Sequence, residues 1–266
     1  MSKIDSAIYE IHDMDDMAAM DNPIAALHPL VKMFITIFYI LIVVSFNPYQ
    51  LSRMIPMIFY PVFVFAASGV GFFRGMKKLR VILPLVCLIG IINIFFDKTP
   101  VTMIGNVVVT GGVLSALTIT LKGVLAVLAS FLLIATTGID KICYAMSMLH
   151  VPKIIVLQFS LTYRYITLLL EEANIIFQAY ILRAPKQKGV HYKVWGPLVG
   201  QLLLRSMDRA NALYDSMVLR GYKGAFYVGD KIKIRGIDMA YGLIWALVFL
   251  LIRNVNITQL LGGAII

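Results

Sequence analysis

Five apolar stretches, at residues 30–46, 54–70, 81–96, 113–136 and 237–252, leave this chain little choice of solvent. A helix needs about 20 apolar residues to cross the hydrocarbon core of a bilayer. Several of the stretches fall a few residues short, so tilt and aromatic ends make up the length. They predict five membrane-spanning helices. Pro56, Pro61 and Pro84 lie inside them and predict kinks, which a bundle tolerates where neighbours satisfy the freed carbonyls. The surface agrees with this reading. Only 14% of the 266 residues are charged and 60% are apolar, whereas a soluble domain carries roughly 25% charged residues.

The formal net charge is +10, and most of the Lys and Arg fall in residues 71–80 and 138–236. A nucleic-acid binder shares such a charge but not the apolar runs, so nucleic acid is excluded as a partner. Basic links held on the cytoplasmic side beside anionic lipid account for it instead. The link after the second stretch holds Arg74, Lys77, Lys78 and Arg80, and the long segment after the fourth is also basic. The other links carry one basic residue each, Arg53 and Lys98. Alternation therefore puts the N-terminus inside and the C-terminus outside. Asp5, Glu10, Asp13, Asp15, Asp16 and Asp21 stand where a signal peptide has a basic start and an apolar core, so the run beginning near Leu30 reads as a retained span. Cys87 and Cys143 lie far apart and imply no disulfide framework or metal cluster.

The chain divides into residues 1–136, a cytoplasmic N-terminal tail and four spans; 137–236, a cytoplasmic helical region; and 237–266, the last span and a tail. The middle region is too long for a simple loop and its pattern is helical. From 153 to 183 the polar residues Ser160, Arg164, Thr167, Glu171, Asn174 and Gln178 advance in steps of three and four, one polar stripe on an otherwise apolar helix or pair of helices. A second helix, at about 197–220, sets Gln201, Arg205, Asp208 and Asp215 on one stripe and Leu203, Met207, Ala210, Tyr214 and Met217 on another. Such helices are too apolar to float free and too polar to be ordinary spans. They are expected under or partly within the bilayer, their apolar faces turned to lipid, to each other or to partner proteins. Glu171 and Glu172 are expected to pair with Arg164 and with the second helix's polar stripe, Arg205 and Asp208 included. Residues 185–189, Pro-Lys-Gln-Lys-Gly, form a basic break between the two helices.

Both helices close in the same way. The first ends Ala179-Tyr-Ile-Leu-Arg183-Ala184 before Pro185, which cannot continue it. The second ends Ser216-Met-Val-Leu-Arg220-Gly221, with Gly221 suited to a left-handed cap. A terminal arginine complements the helix dipole, by about 0.3–1 kcal/mol, and that alone explains one such ending. The repetition on adjacent amphipathic helices points further. Small residues admit a partner surface while the guanidinium enters an acidic groove as a forked donor. Two matched ends suggest two matched partners.

At these residues the sequence resembles the transmembrane T component of energy-coupling factor transporters, most closely the cobalt-type subunit. The resemblance rests on Asp21-Asn-Pro-Ile-Ala-Ala-Leu-His28-Pro29-Leu-Val-Lys32 before the first span, on Leu149-His150-Val151-Pro152 followed by Leu161-Thr-Tyr163-Arg164-Tyr165 and Glu171-Glu172, and on the paired arginine motifs, which are its specific part. It covers nearly the whole chain. It implies a multi-pass protein of the prokaryotic cell (inner) membrane, an all-α fold of about five transmembrane helices with long amphipathic coupling helices. It further implies a non-catalytic subunit joining two ABC-type ATPase subunits to a substrate-binding membrane subunit, for cobalt ion uptake. Arg183 and Arg220 would each anchor one ATPase, with Ala179, Ala184, Ser216 and Gly221 allowing close approach. ATP and Mg would be bound by those partners, and no cofactor by this chain. The sequence departs from the family in Ala184, where glycine is commoner, and in Ser216, where alanine is.

Other features carry less. His12, His28, His150 and His191 show no metal-ligand spacing; His28 and His150 stand just ahead of prolines at helix starts, where capping or packing explains them. Gly71-Phe-Phe-Arg-Gly75-Met-Lys77-Lys78 is one residue short of a phosphate loop and lacks its Ser or Thr. Lys122 is an intramembrane charge near one end of its span, from which it reaches the interface by snorkelling. Gly196-Pro-Leu-Val-Gly200 offers a small-residue face for close packing. The alternatives are a membrane-embedded enzyme with a cytoplasmic-face site of Glu171, Glu172 and His150, a secondary transporter acting alone, or a T component serving nickel or vitamins.

Overall fold

The computed structural model describes residues 3–20, 22–49, 51–96, 100–104, 107–185, 189–224 and 233–254. Asp21, the centre of the break at 185–189 and the apolar tail from 255 lie outside the described residues. The chain groups into two units, one of residues Met17–Gly138 with Lys231–Ile266 and the other of Met1–Asp16 with Ile139–Asp230.

In the first unit prolines and glycines punctuate apolar helices. Pro29 opens α2 (Pro29–Val44), where its missing N–H is no loss, and the Nδ1 of His28 accepts the Leu30 N–H at 3.2 Å. The second apolar stretch is α3 (Leu51–Met54), a 3-10 turn at Ile55–Ile58 and α4 (Phe59–Ser68), which Gly69 closes at φ +66°. Pro56 thus changes the helix type, Pro61 sits harmlessly in the first turn of α4, and Pro84 remains inside α5 (Phe72–Phe96). The link to the fourth stretch is no plain loop: β1 (Pro100–Ile104) and β2 (Val107–Thr110) pair antiparallel, with Met103 opposite Val108. Then come α6 (Gly111–Thr137), ended by Gly138 at φ +74°, and, later in the chain, α10 (Gly236–Asn254).

Aromatic rings fill the centre of this unit. Tyr39 of α2, wholly buried, lies between Tyr60 of α4 and Phe249 of α10, with ring centroids 4.7 and 5.2 Å away, and donates its hydroxyl to the Met57 carbonyl at 2.9 Å. Trp245 closes the cluster against Tyr60 and Phe63. Against α6, Gly90 of α5 leaves room that a Cβ would fill, 3.3 Å from the Ala116 carbonyl.

The second unit holds α1 (Lys3–Ala19) up to Asp16, α7 (Ile139–Met148), α8 (Lys153–Arg183), a 3-10 turn at Tyr192–Val194 and α9 (Trp195–Leu219). Residues 153–183 form one helix, and the helix expected from 197 begins at Trp195. The acidic N-terminal stretch, read from sequence as a tail, is helical, with Ile4, Ile8, Ile11 and Met14 partly buried and Tyr9, Glu10, His12 and Asp16 exposed. Between α7 and α8, His150 takes a left-handed conformation at φ 59°, which histidine accepts more readily than most residues.

Among the described residues, four helical segments are long and apolar enough to cross a membrane: Leu51–Ser68, Gly111–Thr137, Lys153–Arg183 and Gly236–Asn254, with Pro29–Val44 a shorter apolar helix. The protein is an all-α membrane protein with one short hairpin.

Candidate functional site

The two arginine motifs end α8 and α9, and each end is built differently. At the end of α8 the Ala184 N–H turns back to the carbonyls of Tyr180 (3.0 Å) and Ile181 (3.2 Å), and Pro185 stops the helix. Ala184 has φ −129°, an ordinary value for a residue with a side chain, so this ending does not require the glycine commoner there. At the end of α9, Arg220 is the C-cap and Gly221 follows at φ +85°. The Gly221 N–H donates to Val218 O at 2.9 Å and the Tyr222 N–H to Met217 O at 3.0 Å. This pair of bonds is a Schellman ending, which glycine adopts without the Cβ penalty. Ser216 turns its hydroxyl to Leu213 O at 2.7 Å. Arg183, Arg220, Ala179 and Gly221 are exposed, and Ala184 and Ser216 half-buried.

The helices run antiparallel. One groove of about 340 Å³ lies between Ile176, Ala179 and Arg183 near the end of α8 and Val194, Pro197 and Gln201 near the start of α9. A second, of about 320 Å³, lies between Leu161, Tyr165 and Leu169 of α8 and Ser206, Ala210 and Leu213 of α9. Arg183 therefore borders the start of α9, whereas Arg220 stands at the other end of that 25-residue helix, which is about 37 Å long. The two arginines are not brought together. They stand at opposite ends of α9.

Between the grooves, Arg205 forms an ion pair with Glu172. Asp208 is exposed and shares a small depression with these two and with Arg209. Arg164 and Glu171 are exposed on α8. Among the described residues, no group of three or more His, Cys, Asp or Glu is placed to hold a metal ion.

Sequence reasoning missed three sets of polar contacts. Tyr163 of α8 donates its hydroxyl to Asp15 Oδ1 at 2.6 Å, and Asn174 donates from Nδ2 to Asp5 Oδ1 at 2.9 Å, so α1 lies antiparallel along α8. Burial first, and then the Asp15 carboxylate beside it, push the Tyr163 phenol above the usual tyrosine range. Asp238, buried in the first turn of α10, accepts the His28 N–H at 3.0 Å and the Arg235 N–H at 2.7 Å. Lys32, also buried, donates to the Thr136 carbonyl at 2.9 Å. The spacing of isoleucines in α1 signals its helix; nothing local signals the partners of Asp238 or Lys32. Lys122 donates to the carbonyls of Val44, at 3.0 Å, and Phe46.

A family model described as CbiQ, cobalt transport protein, matches residues 20–228. The uncharacterized protein MJ1571 of Methanocaldococcus jannaschii is 26% identical over 182 residues, which cover 64% of this chain and 62% of that protein. The chain thus spans somewhat less than two thirds of the length of that curated relative.

Proposed function

Because this chain belongs to the CbiQ family of cobalt transport proteins, we propose that it is the energy-coupling subunit of an ATP-driven importer of the energy-coupling factor type. In this reading α8 and α9 are coupling helices on the cytoplasmic side of a prokaryotic cell membrane, with the N-terminus inside. Two ABC-type ATPase subunits bind ATP and Mg, one seated at Arg183 and the other at Arg220. Their closure moves the helix pair, and the pair moves a separate substrate-binding membrane subunit. Cobalt ion is the proposed cargo, in preference to nickel or a vitamin.

One observation carries the reading: two exposed arginines, each on a helix end flanked by small residues, stand at opposite ends of one antiparallel pair. A single partner groove cannot receive both, whereas a pair of ATPases can. Although α8 is apolar enough to span a bilayer, Asp15 and Asp5 of the acidic α1 hold its Tyr163 and Asn174. A carboxylate-bearing helix along its flank favours an aqueous boundary for α8, since carboxylates are costly within hydrocarbon. The engagement of Glu172 by Arg205 favours a helix-pairing role for that carboxylate over an enzymatic one.

The test is capture of the cognate ATPase subunits in detergent by wild type, Arg183→Glu, Arg220→Glu and the double variant. Each single reversal weakens capture and the double variant abolishes it. Equal capture by four folded chains would reduce the arginines to ordinary helix ends and remove the basis for two anchors.

A further inference from the structure

Two lysines in the membrane unit cap each other's helices. α2 and α6 run antiparallel, and Lys32, in the first turn of α2, sends its ammonium 2.9 Å to the carbonyl of Thr136 in the last turn of α6. Lys122, inside α6, sends its own to Val44, the last residue of α2, and to Phe46 just beyond. The final carbonyls of a helix lack intrahelical N–H partners and carry its negative pole, so a lysine from a neighbour satisfies both the hydrogen-bonding and the charge requirement. Here each helix supplies the other's cap. The two contacts lie at opposite ends of α2, so neither helix can slide or splay against the other along that length without losing one.

The end held by Lys32 is also where the chain leaves the membrane unit. Thr137 closes α6, Gly138 follows in the left-handed region, and Ile139 begins the unit that contains α8 and α9. A side chain at Gly138 is disfavoured both by φ +74° and by Ala18, whose Cβ lies 3.2 Å from where the new Cβ would stand. At the same end Asp238 binds the His28 backbone N–H and so joins the start of α10 to the start of α2. Three helix ends are thereby fixed beside the point at which the chain passes from one unit to the other.

We propose that the reciprocal lysine caps make α2 and α6 one rigid element, and that Lys32 is the positioning residue through which motion of α8 and α9 enters the membrane unit. The transport part rests on the coupling function proposed above; the rigidity part does not. With α6 clamped, displacement delivered at Ile139 moves the α2–α6 pair as a body. With Lys32 lost, the last turn of α6 yields instead, and ATP hydrolysis proceeds without import.

The experiment uses the complete complex in proteoliposomes, with ATP hydrolysis and uptake of radiolabelled Co2+ followed in the same vesicles. Lys32→Met is expected to assemble and hydrolyse ATP within about twofold of wild type while importing at least tenfold less Co2+ per ATP; Lys32→Arg recovers more than half of the loss. An unchanged import ratio in Lys32→Met overturns the proposal, and so does a parallel fall of import, hydrolysis and recovered complex, which marks a merely structural contact. Spin labels at Phe34→Cys and Ser130→Cys, with Cys87 and Cys143 replaced by alanine, report on the clamp independently of cargo. Lys32→Met broadens their distance distribution, whereas Lys122→Met broadens that of a second pair at Leu41→Cys and Leu117→Cys. Unaltered distributions in both variants refute the rigid element. Failure of wild type to import Co2+ with ATP counts against the coupling and cargo reading, while the label distances still decide the clamp.

Discussion

Arg205 on α9 closes on the carboxylate of Glu172 on α8, between two grooves that follow one another along the helix pair. The pair marks where the helices are held, yet its setting limits its strength. The Arg205 side chain is 46% exposed and that of Glu172 19%, and water screens such contacts. A double-mutant cycle with Glu172→Gln and Arg205→Met, read by unfolding in mixed micelles, should give a coupling of about 0.2–1 kcal/mol, in the range of exposed pairs. A coupling several times larger would show that the pair is desolvated in solution and holds the helix crossing by itself.

The unlike endings of the two motifs predict unlike tolerance. Gly221 sits at φ +85°, so Gly221→Val should cost about 1–2 kcal/mol at the α9 ending, the penalty of a left-handed L-residue. Gly221→Asn should cost less, since asparagine visits that region more readily. Ala184→Gly meets no such constraint and should leave ATPase capture unchanged within about twofold, because its φ is an ordinary one. Capture assays on the three variants check the ranking; a stronger effect of Ala184→Gly than of Gly221→Val would invert it.

The contact of α1 with α8 should survive ordinary alkaline conditions. The Tyr163 phenol is pushed up by burial and by Asp15, so the folded form holds the proton more tightly than the unfolded chain does. Its contribution is complete below the unfolded tyrosine value of about 10 and is lost as pH rises above it. Hydrogen exchange of the α1 amides should therefore stay flat from neutral pH to pH ~9, once corrected for intrinsic rates, and accelerate above about 10. Tyr163→Phe should remove the alkaline step. A step of equal size in that variant would assign it to another group.

Cys143 should react slowly. It is fully buried in α7, and burial, with Asp140 as a lesser influence, raises its thiol above the usual range. Thiolate is the reactive form, so both exposure and ionisation oppose alkylation. Maleimide labelling of a Cys87→Ala chain in detergent should run at least tenfold slower than in denaturant; equal rates would place Cys143 at the surface.

The sequence announces what local chemistry decides. Helix ends at Arg183 and Arg220 were legible because Pro185 and Gly221 stop helices whatever surrounds them. The α1 helix was obscured because its charges dominate the stretch, although Ile4, Ile8, Ile11 and Met14 recur at helical spacing. The β1–β2 hairpin had its own signal in the β-branched residues on either side of Gly105-Asn106, a pattern easily taken for a short apolar link. The roles of Lys32 and Asp238 could not be read at all. Their partners, Thr136 and His28, are distant in sequence, and only the packing of α2, α6 and α10 brings them together.

The distance between Arg183 and Arg220 makes the sharpest prediction for the docking sites. Two sites at opposite ends of α9, a helix about 37 Å long, share no neighbours, and free energies of such separated changes add to within about 0.3–0.5 kcal/mol. Arg183→Glu and Arg220→Glu should therefore lower affinity for the ATPase pair by independent amounts, their sum matching the double variant. Calorimetric titration of each chain in nanodiscs supplies the four constants. A single shared groove for both arginines predicts the opposite, a double variant no worse than the weaker single, because the first reversal has already removed the contact that the second would break.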